Sequence, residues 1–146
     1  VIINIHKTSY EVASRDFIRS GDASKSIKKT LNQMGFASQL VRKVCIATYE
    51  AEMNIAIHSH GGEIILIVDD YTIAIQIIDR GPGIANIEQA MKAGYSTATN
   101  EMIEMGFGAG MGFYNMQKCA NVFKLESKKN EGTKIDMIFY IECNED

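Results

Sequence analysis

Three short motifs lie along this chain in different local patterns, and their order narrows the folds open to it. Glu50-Ala51-Glu52-Met53-Asn54 sits inside a helical pattern. Asp79-Arg80-Gly81-Pro82-Gly83 ends an apolar strand pattern, and Gly106-Phe107-Gly108-Ala109-Gly110-Met111-Gly112 opens a second helical pattern. The first motif places a carboxylate and an amide one helical turn apart, on one face. The second sets an acid beside a turn with little side-chain bulk. The third offers a run of backbone N–H groups with no bulky side chain at alternate positions. A fold that gathers these three can hold the two ends of a nucleotide with a metal between them.

Between the motifs the pattern alternates helix and strand. Val1 to His6 reads as a short strand, and Glu11 to Arg19 as a helix or an irregular turn. Asp22 is the expected cap of a helix from Ala23 to Met34, stopped by Gly35. Ser38 is the expected cap of a longer helix to about Ser59, in which Val41, Val44, Cys45, Thr48, Met53, Ala56 and Ile57 keep a helical period. Glu63 to Val68 and Tyr71 to Ile78 read as an antiparallel hairpin around Asp69-Asp70. Asn86 to Ala93 reads as a short helix, Tyr95 to Gly106 as a mobile loop, and Gly108 to Cys119 as a helix in spite of its glycines. Val122 to Ser127 and Thr133 to Ile141 read as a closing hairpin. The order β-α-α-β-β-α-α-β-β fits an α/β chain with a mixed sheet and its helices on one face.

Length and charge remove several function classes. The 146 residues are most simply one domain, 1–146. A net charge of −3, with scattered Lys and Arg, does not suit a general nucleic-acid binder. No run approaches the roughly 18 apolar residues of a membrane span, and no N-terminal signal pattern is visible. Cys45, Cys119 and Cys143 are odd in number and dispersed, which fits reduced thiols and a cytoplasmic protein.

Each motif has a chemical reading and a plainer one. Asn54 offers a neutral carbonyl oxygen suited to Mg²⁺, which takes few protein ligands and completes its shell with water and phosphate. Glu50 on the same face can deprotonate an incoming hydroxyl. Taken alone, this spacing also occurs on exposed helices with an unrelated acid and amide. Asp79 follows Ile73, Ile75, Ile77 and Ile78, so it is expected to be partly buried and to need a donor. The exocyclic amine of adenine is one, and Gly81 and Gly83 would let the ring approach the backbone. An ordinary strand-ending turn has the same composition. Gly106, Gly108, Gly110 and Gly112 would each cost a helix about 1 kcal/mol relative to alanine. A phosphate chain at a helix N-terminus supplies a reason for them, and a flexible linker is the plainer reading. Thr133 beside Gly132 can bond a base edge or a water near Asp79, or simply start a strand. His58-Ser59-His60 lacks the further ligands that zinc requires.

Taken together and in this order, the motifs resemble the ATP-binding domain shared by gyrase B, Hsp90, sensor histidine kinases and MutL, over about residues 36–141, and the resemblance implies the two-layer α/β sandwich of that superfamily. The stretch from Asp79-Arg80-Gly81-Pro82-Gly83-Ile84 through Ala93-Gly94-Tyr95-Ser96-Thr97 to the glycine run is similar to the anti-sigma-factor serine/threonine kinases. Residues 87–113 most resemble the switch kinase of the bacterial stress-signalling complex. The resemblance implies Glu50 as catalytic base, Asn54 as Mg²⁺ ligand and Asp79 as acceptor of the adenine amine. It implies Gly81, Gly83, Ile84 and Thr133 as further nucleotide contacts. Gly106, Gly108, Gly110 and Gly112 become the phosphate-side hinge of an ATP lid spanning about 84–110. Glu101 and Glu104 in that lid must then point away from the triphosphate.

The implied function is an ATP-dependent protein kinase that phosphorylates a small antagonist-type protein, in a partner switch controlling a sigma factor. A second reading is a nucleotide-gated binding module that holds a sigma factor or activates a phosphatase without catalysis. A third is a plain ATPase acting through dimer closure. A homodimer is implied by the resemblance alone.

Overall fold

The computed structural model describes residues 4–15, 19–83 and 112–142. Five strands and three helices lie in them. In chain order they are β1 (His6–Val12), α1 (Asp22–Gln33), α2 (Ser38–His58), β2 (Gly62–Val68), β3 (Thr72–Asp79), α3 (Gly112–Cys119), β4 (Val122–Lys128) and β5 (Gly132–Tyr140). The expected helix over 86–93 lies outside the described residues. No helix among the described residues is long and apolar enough to cross a membrane.

The sheet runs β1-β2-β3-β5-β4, and every pairing is antiparallel. This corrects the expected mixed sheet. Two helices separate β1 from β2. A chain that leaves along a strand, comes back along one helix and goes out along a second must return on its next strand. A parallel pair would need an odd number of crossings. The first strand is also displaced from the expected Val1 to His6. Its paired residues are His6–Val12, because Thr8, Tyr10 and Val12 face Leu66, Ile64 and Gly62. The segment read as a helix or turn from Glu11 therefore starts inside β1.

The register explains where the site forms. Thr8, Leu66, Ile75, Met137 and Phe123 make one cross-strand row, and Tyr10, Ile64, Ile77, Ile135 and Leu125 make the next. These rows face the helices. Leu66, Ile75 and Met137 are fully buried against Ile27 and Leu31 of α1, Val44, Ala51 and Ile55 of α2, and Met116 of α3. Each large aliphatic side chain buried here contributes about 2 kcal/mol. The last row of the same face is Val12, Gly62, Asp79, Thr133 and Ser127. Apolar packing thus gives way to three polar side chains on adjacent strands, where the sheet ends. The opposite face carries Gln76, Lys124, Glu126, Lys134 and Asp136, none of them buried.

α2 is central, lying between α1 and α3. The sequence reading places its start at Ser38 and its end near Ser59, and the helix spans Ser38–His58 with Ala37 as its cap residue. The helix cap expected at Asp22 is not formed. Gly21 occupies the cap position with a φ of 100°, and Asp22 is the first helical residue. The orphan N–H groups of α1 find a partner on α2 instead.

Candidate active site

Glu50 and Asn54 are one turn apart on α2 and both face α3. The Oε1 atom of Glu50 accepts a hydrogen bond from Asn115 Nδ2 at 3.1 Å. Gly112, the first residue of α3, stands against Asn54, and a Cβ at that position would lie 3.2 Å from both Asn54 Oδ1 and Nδ2. The bare glycine lets the start of α3 close onto the amide. Asn54 Nδ2 is buried and has no hydrogen-bond partner among the described residues. Leaving an amide unsatisfied in this way is costly. A half turn of the amide exchanges its nitrogen and oxygen. The position therefore suits either a phosphate oxygen or a hard cation, and the residues present fit Mg²⁺.

Glu52, two residues beyond Glu50, is turned about 200° around the helix axis and faces the other way. It is fully buried at 2% exposure. Its two carboxylate oxygens accept from Gly21 N at 2.9 Å, Ala23 N at 3.1 Å, Ser24 N at 3.0 Å and Ser24 Oγ at 2.7 Å. Glu52 is therefore the cap of α1, placed where the helix dipole favours an anion. A buried acid in the apolar stripe formed by Val41, Val44, Thr48 and Ile55 is a signal that the sequence carries.

The second part of the site forms where α2 ends beside the end of β3. Ser59 closes α2 in an extended conformation and is buried. Its Oγ lies 2.5 Å from Asp79 Oδ1, and the N–H of Gly81 donates to the same oxygen at 2.6 Å. A Cβ on Gly81 would come 2.7 Å from Asp79 Oδ1 and 2.9 Å from Ser59 Oγ. The bulk-free position is thus needed by the protein's own packing. The Pro82 carbonyl accepts from Asn130 N at 2.5 Å, which seats Gly83 by the β4–β5 turn. Thr133 pairs with Asp79 across the sheet, and its Oγ1 lies 2.7 Å from Ser127 Oγ. His58 is half-buried. Burial pushes its pKa below the ordinary 6.5, Arg15 pushes it further down, and Asp79 opposes both.

Glu50, Asn54 and Gly112 therefore come together, as do Asp79, Gly81 and Thr133. The first group lies on and against α2, and Ser59, which closes α2, contacts Asp79 of the second. Asn54 lies five residues before Ser59, roughly 7.5 Å along the helix axis. Ile84, Gly106, Gly108, Gly110 and the lid at 84–110 lie outside the described residues.

The model of the histidine kinase-, DNA gyrase B- and HSP90-like ATPases matches residues 37–143. The chain is 35% identical over 113 residues to an anti-sigma F factor of Clostridium acetobutylicum, covering 70% of this chain and 76% of that one. The chain belongs to the histidine kinase-, DNA gyrase B- and HSP90-like ATPases, in their anti-sigma-factor kinase branch. An anti-sigma F factor of Caldanaerobacter subterraneus is 33% identical over 120 residues, which is 75% of this chain and 80% of that one. The serine/threonine-protein kinase RsbT of Bacillus subtilis is 26% identical over 130 residues, covering 86% and 90%. The solved mycobacterial sensor histidine kinase MprB superposes with a TM-score of 0.53 at 14% identity, over 92% of this chain and 97% of that one. That likeness is one of fold. It fits the two-layer α/β arrangement, and family membership makes this an ATP-binding domain.

Within this ATPase domain, Asn115, Ser59 and Glu52 are the residues that sequence reading passed over. Asn115 and Ser59 carry no motif signal, since their partners lie on other elements.

Proposed function

We propose that this chain is an ATP-dependent serine/threonine protein kinase whose substrate is a small antagonist-type protein, in a partner switch that controls a sigma factor. The observation that carries the reading is the pair Glu50 and Asn54 on the α3 side of α2, the first bound by Asn115 and the second with a buried amide nitrogen that has no hydrogen-bond partner among the described residues. The names of the relatives, anti-sigma F factor and serine/threonine-protein kinase, support it.

In this mechanism Asp79 accepts the adenine amine and the bare start of α3 lies near the phosphates. Asn54 would hold Mg²⁺, which neutralises phosphate charge when bound. Glu50, oriented through Oε1, takes the proton of the incoming Ser or Thr hydroxyl. The hydroxyl oxygen bonds to the γ-phosphorus as the bond to the ADP oxygen breaks, so ADP leaves and the protein phosphoester remains.

Labelled ATP incubated with the protein and an antagonist-type protein should transfer label, and Glu50→Ala should abolish transfer while nucleotide binding persists. Equal loss of both would remove Glu50 from the base role. A second reading, a nucleotide-gated sigma-factor clamp, draws on relatives named for what they oppose. Nucleotide-dependent capture of a sigma factor without phosphoryl transfer would favour it.

A further inference from the structure

Asp79 does not use its two oxygens alike. Oδ1 lies within hydrogen-bond distance of two donors, Ser59 Oγ at 2.5 Å and Gly81 N at 2.6 Å. Ser59 Oγ is also 2.9 Å from the Gly61 carbonyl, but a hydroxyl has one proton. The shorter contact has the length of a charge-assisted bond and takes it. The Gly61 carbonyl already accepts from Arg80 N at 2.9 Å, so nothing is left wanting. Ser59 is itself pinned, since it is 4% exposed and its own carbonyl accepts from Ser14 Oγ at 2.6 Å.

We propose that Ser59 is a positioning residue that sets the purine selectivity of the site, by holding Asp79 with Oδ1 occupied and leaving as its acceptor Oδ2, which has no hydrogen-bond partner among the described residues. This rests on the reading of Asp79 as the adenine contact. A fixed, acceptor-only oxygen pairs with the amine at C6 of adenine and opposes the carbonyl at C6 of guanine. Without the Ser59 hydroxyl the carboxylate keeps one tether, from Gly81, and turns more freely. Both the gain for adenine and the discrimination against guanine then shrink, because a preorganised partner is what an unmatched ligand finds most costly.

The test is the affinity of the full chain for ATP and for GTP, by calorimetry, in four proteins: wild type, Ser59→Ala, Ser59→Thr and Asp79→Asn. Ser59→Ala should weaken ATP about tenfold, the scale of one hydrogen bond to a charged group, and leave GTP within twofold, so the ATP/GTP ratio falls about tenfold. Ser59→Thr retains the hydroxyl and suits the extended backbone at φ −117°, ψ 172°, and should bind as wild type. A purely structural role would lower both nucleotides together and leave the ratio alone. An unchanged ratio in Ser59→Ala, or a loss in Ser59→Thr as large as in Ser59→Ala, overturns the proposal. Asp79→Asn separates the two layers. If it loses ATP while Ser59→Ala keeps the wild-type ratio, only the role of Ser59 fails. If Asp79→Asn keeps wild-type ATP affinity, the adenine reading fails and takes this proposal with it.

Discussion

Asn115 Nδ2 donates to Glu50 Oε1 across the α2–α3 boundary at 3.1 Å. The bond ties the proposed base to the helix that begins at Gly112. A carboxylate held through one oxygen offers the other in a defined direction, and orientation of this kind is worth much of a base's effect. Asn115→Leu should therefore lower kcat of phosphoryl transfer about tenfold and leave ATP affinity within twofold, a split that marks a loss felt mainly in the transition state. Asn115→Asp, which sets a second acid against Glu50, should lower kcat further. A kcat unchanged in Asn115→Leu would dismiss the tether.

Gly112→Ala tests the close contact at the other end of that face. The added methyl would stand 3.2 Å from both polar atoms of the Asn54 amide, so the amide must turn aside. We expect ATP affinity in the presence of Mg²⁺ to fall about tenfold, and affinity in EDTA to change little. Alanine is the better helix former by about 1 kcal/mol, so thermal stability should hold or rise. A binding loss alike with and without Mg²⁺ would detach Asn54 from the cation.

The parts of this molecule legible in the sequence are those whose signals are local. The β2–β3 and β4–β5 hairpins follow from β-branched runs and short turns, and α2 from its apolar period. That Glu50 and Asn54 lie side by side also follows from spacing alone, since residues four apart share a face on any helix. What could not be read depends on which elements meet. The cap of α1 is Glu52, 28 residues beyond Ser24, so a search for a neighbouring Ser or Asp settles wrongly on Asp22. The antiparallel sheet depends on two helices crossing between β1 and β2. Asn115 and Ser59 look ordinary until α3 and β3 are placed beside α2. Even the glycine at Gly81, explained from sequence by the approach of a base, answers to Asp79 and Ser59.

Glu52→Ala should be the most destabilising single truncation on α2. It removes the acceptor for three backbone N–H groups and one hydroxyl in a buried setting. Unsatisfied buried donors cost about 1–3 kcal/mol each where they cannot reach water, and the helix dipole loses its anion. We expect a loss of about 3 kcal/mol by urea unfolding, with Glu52→Gln, which keeps one acceptor oxygen, losing less. Equal stability of Glu52→Ala and wild type would show that α1 is capped by other means.

His58 gives the chain a pH dependence whose sign is fixed. Burial and Arg15 hold its folded pKa below the ordinary 6.5, against the pull of Asp79. Between that lowered value and 6.5 the unfolded chain binds the more protons, so stability rises with pH through this window. The stabilisation is complete above about 6.5 and is lost as pH falls through the folded pKa. The unfolding temperature should therefore drop on going from pH 7.5 to pH 5.5, and His58→Gln should flatten the drop. Asp69, held below its usual pKa by the Tyr71 and Thr72 N–H groups, acts at lower pH, so the comparison between the two proteins, taken over this window, isolates the imidazole. Parallel curves for the two would mean that His58 carries the same proton affinity folded and unfolded, and would remove it as the source.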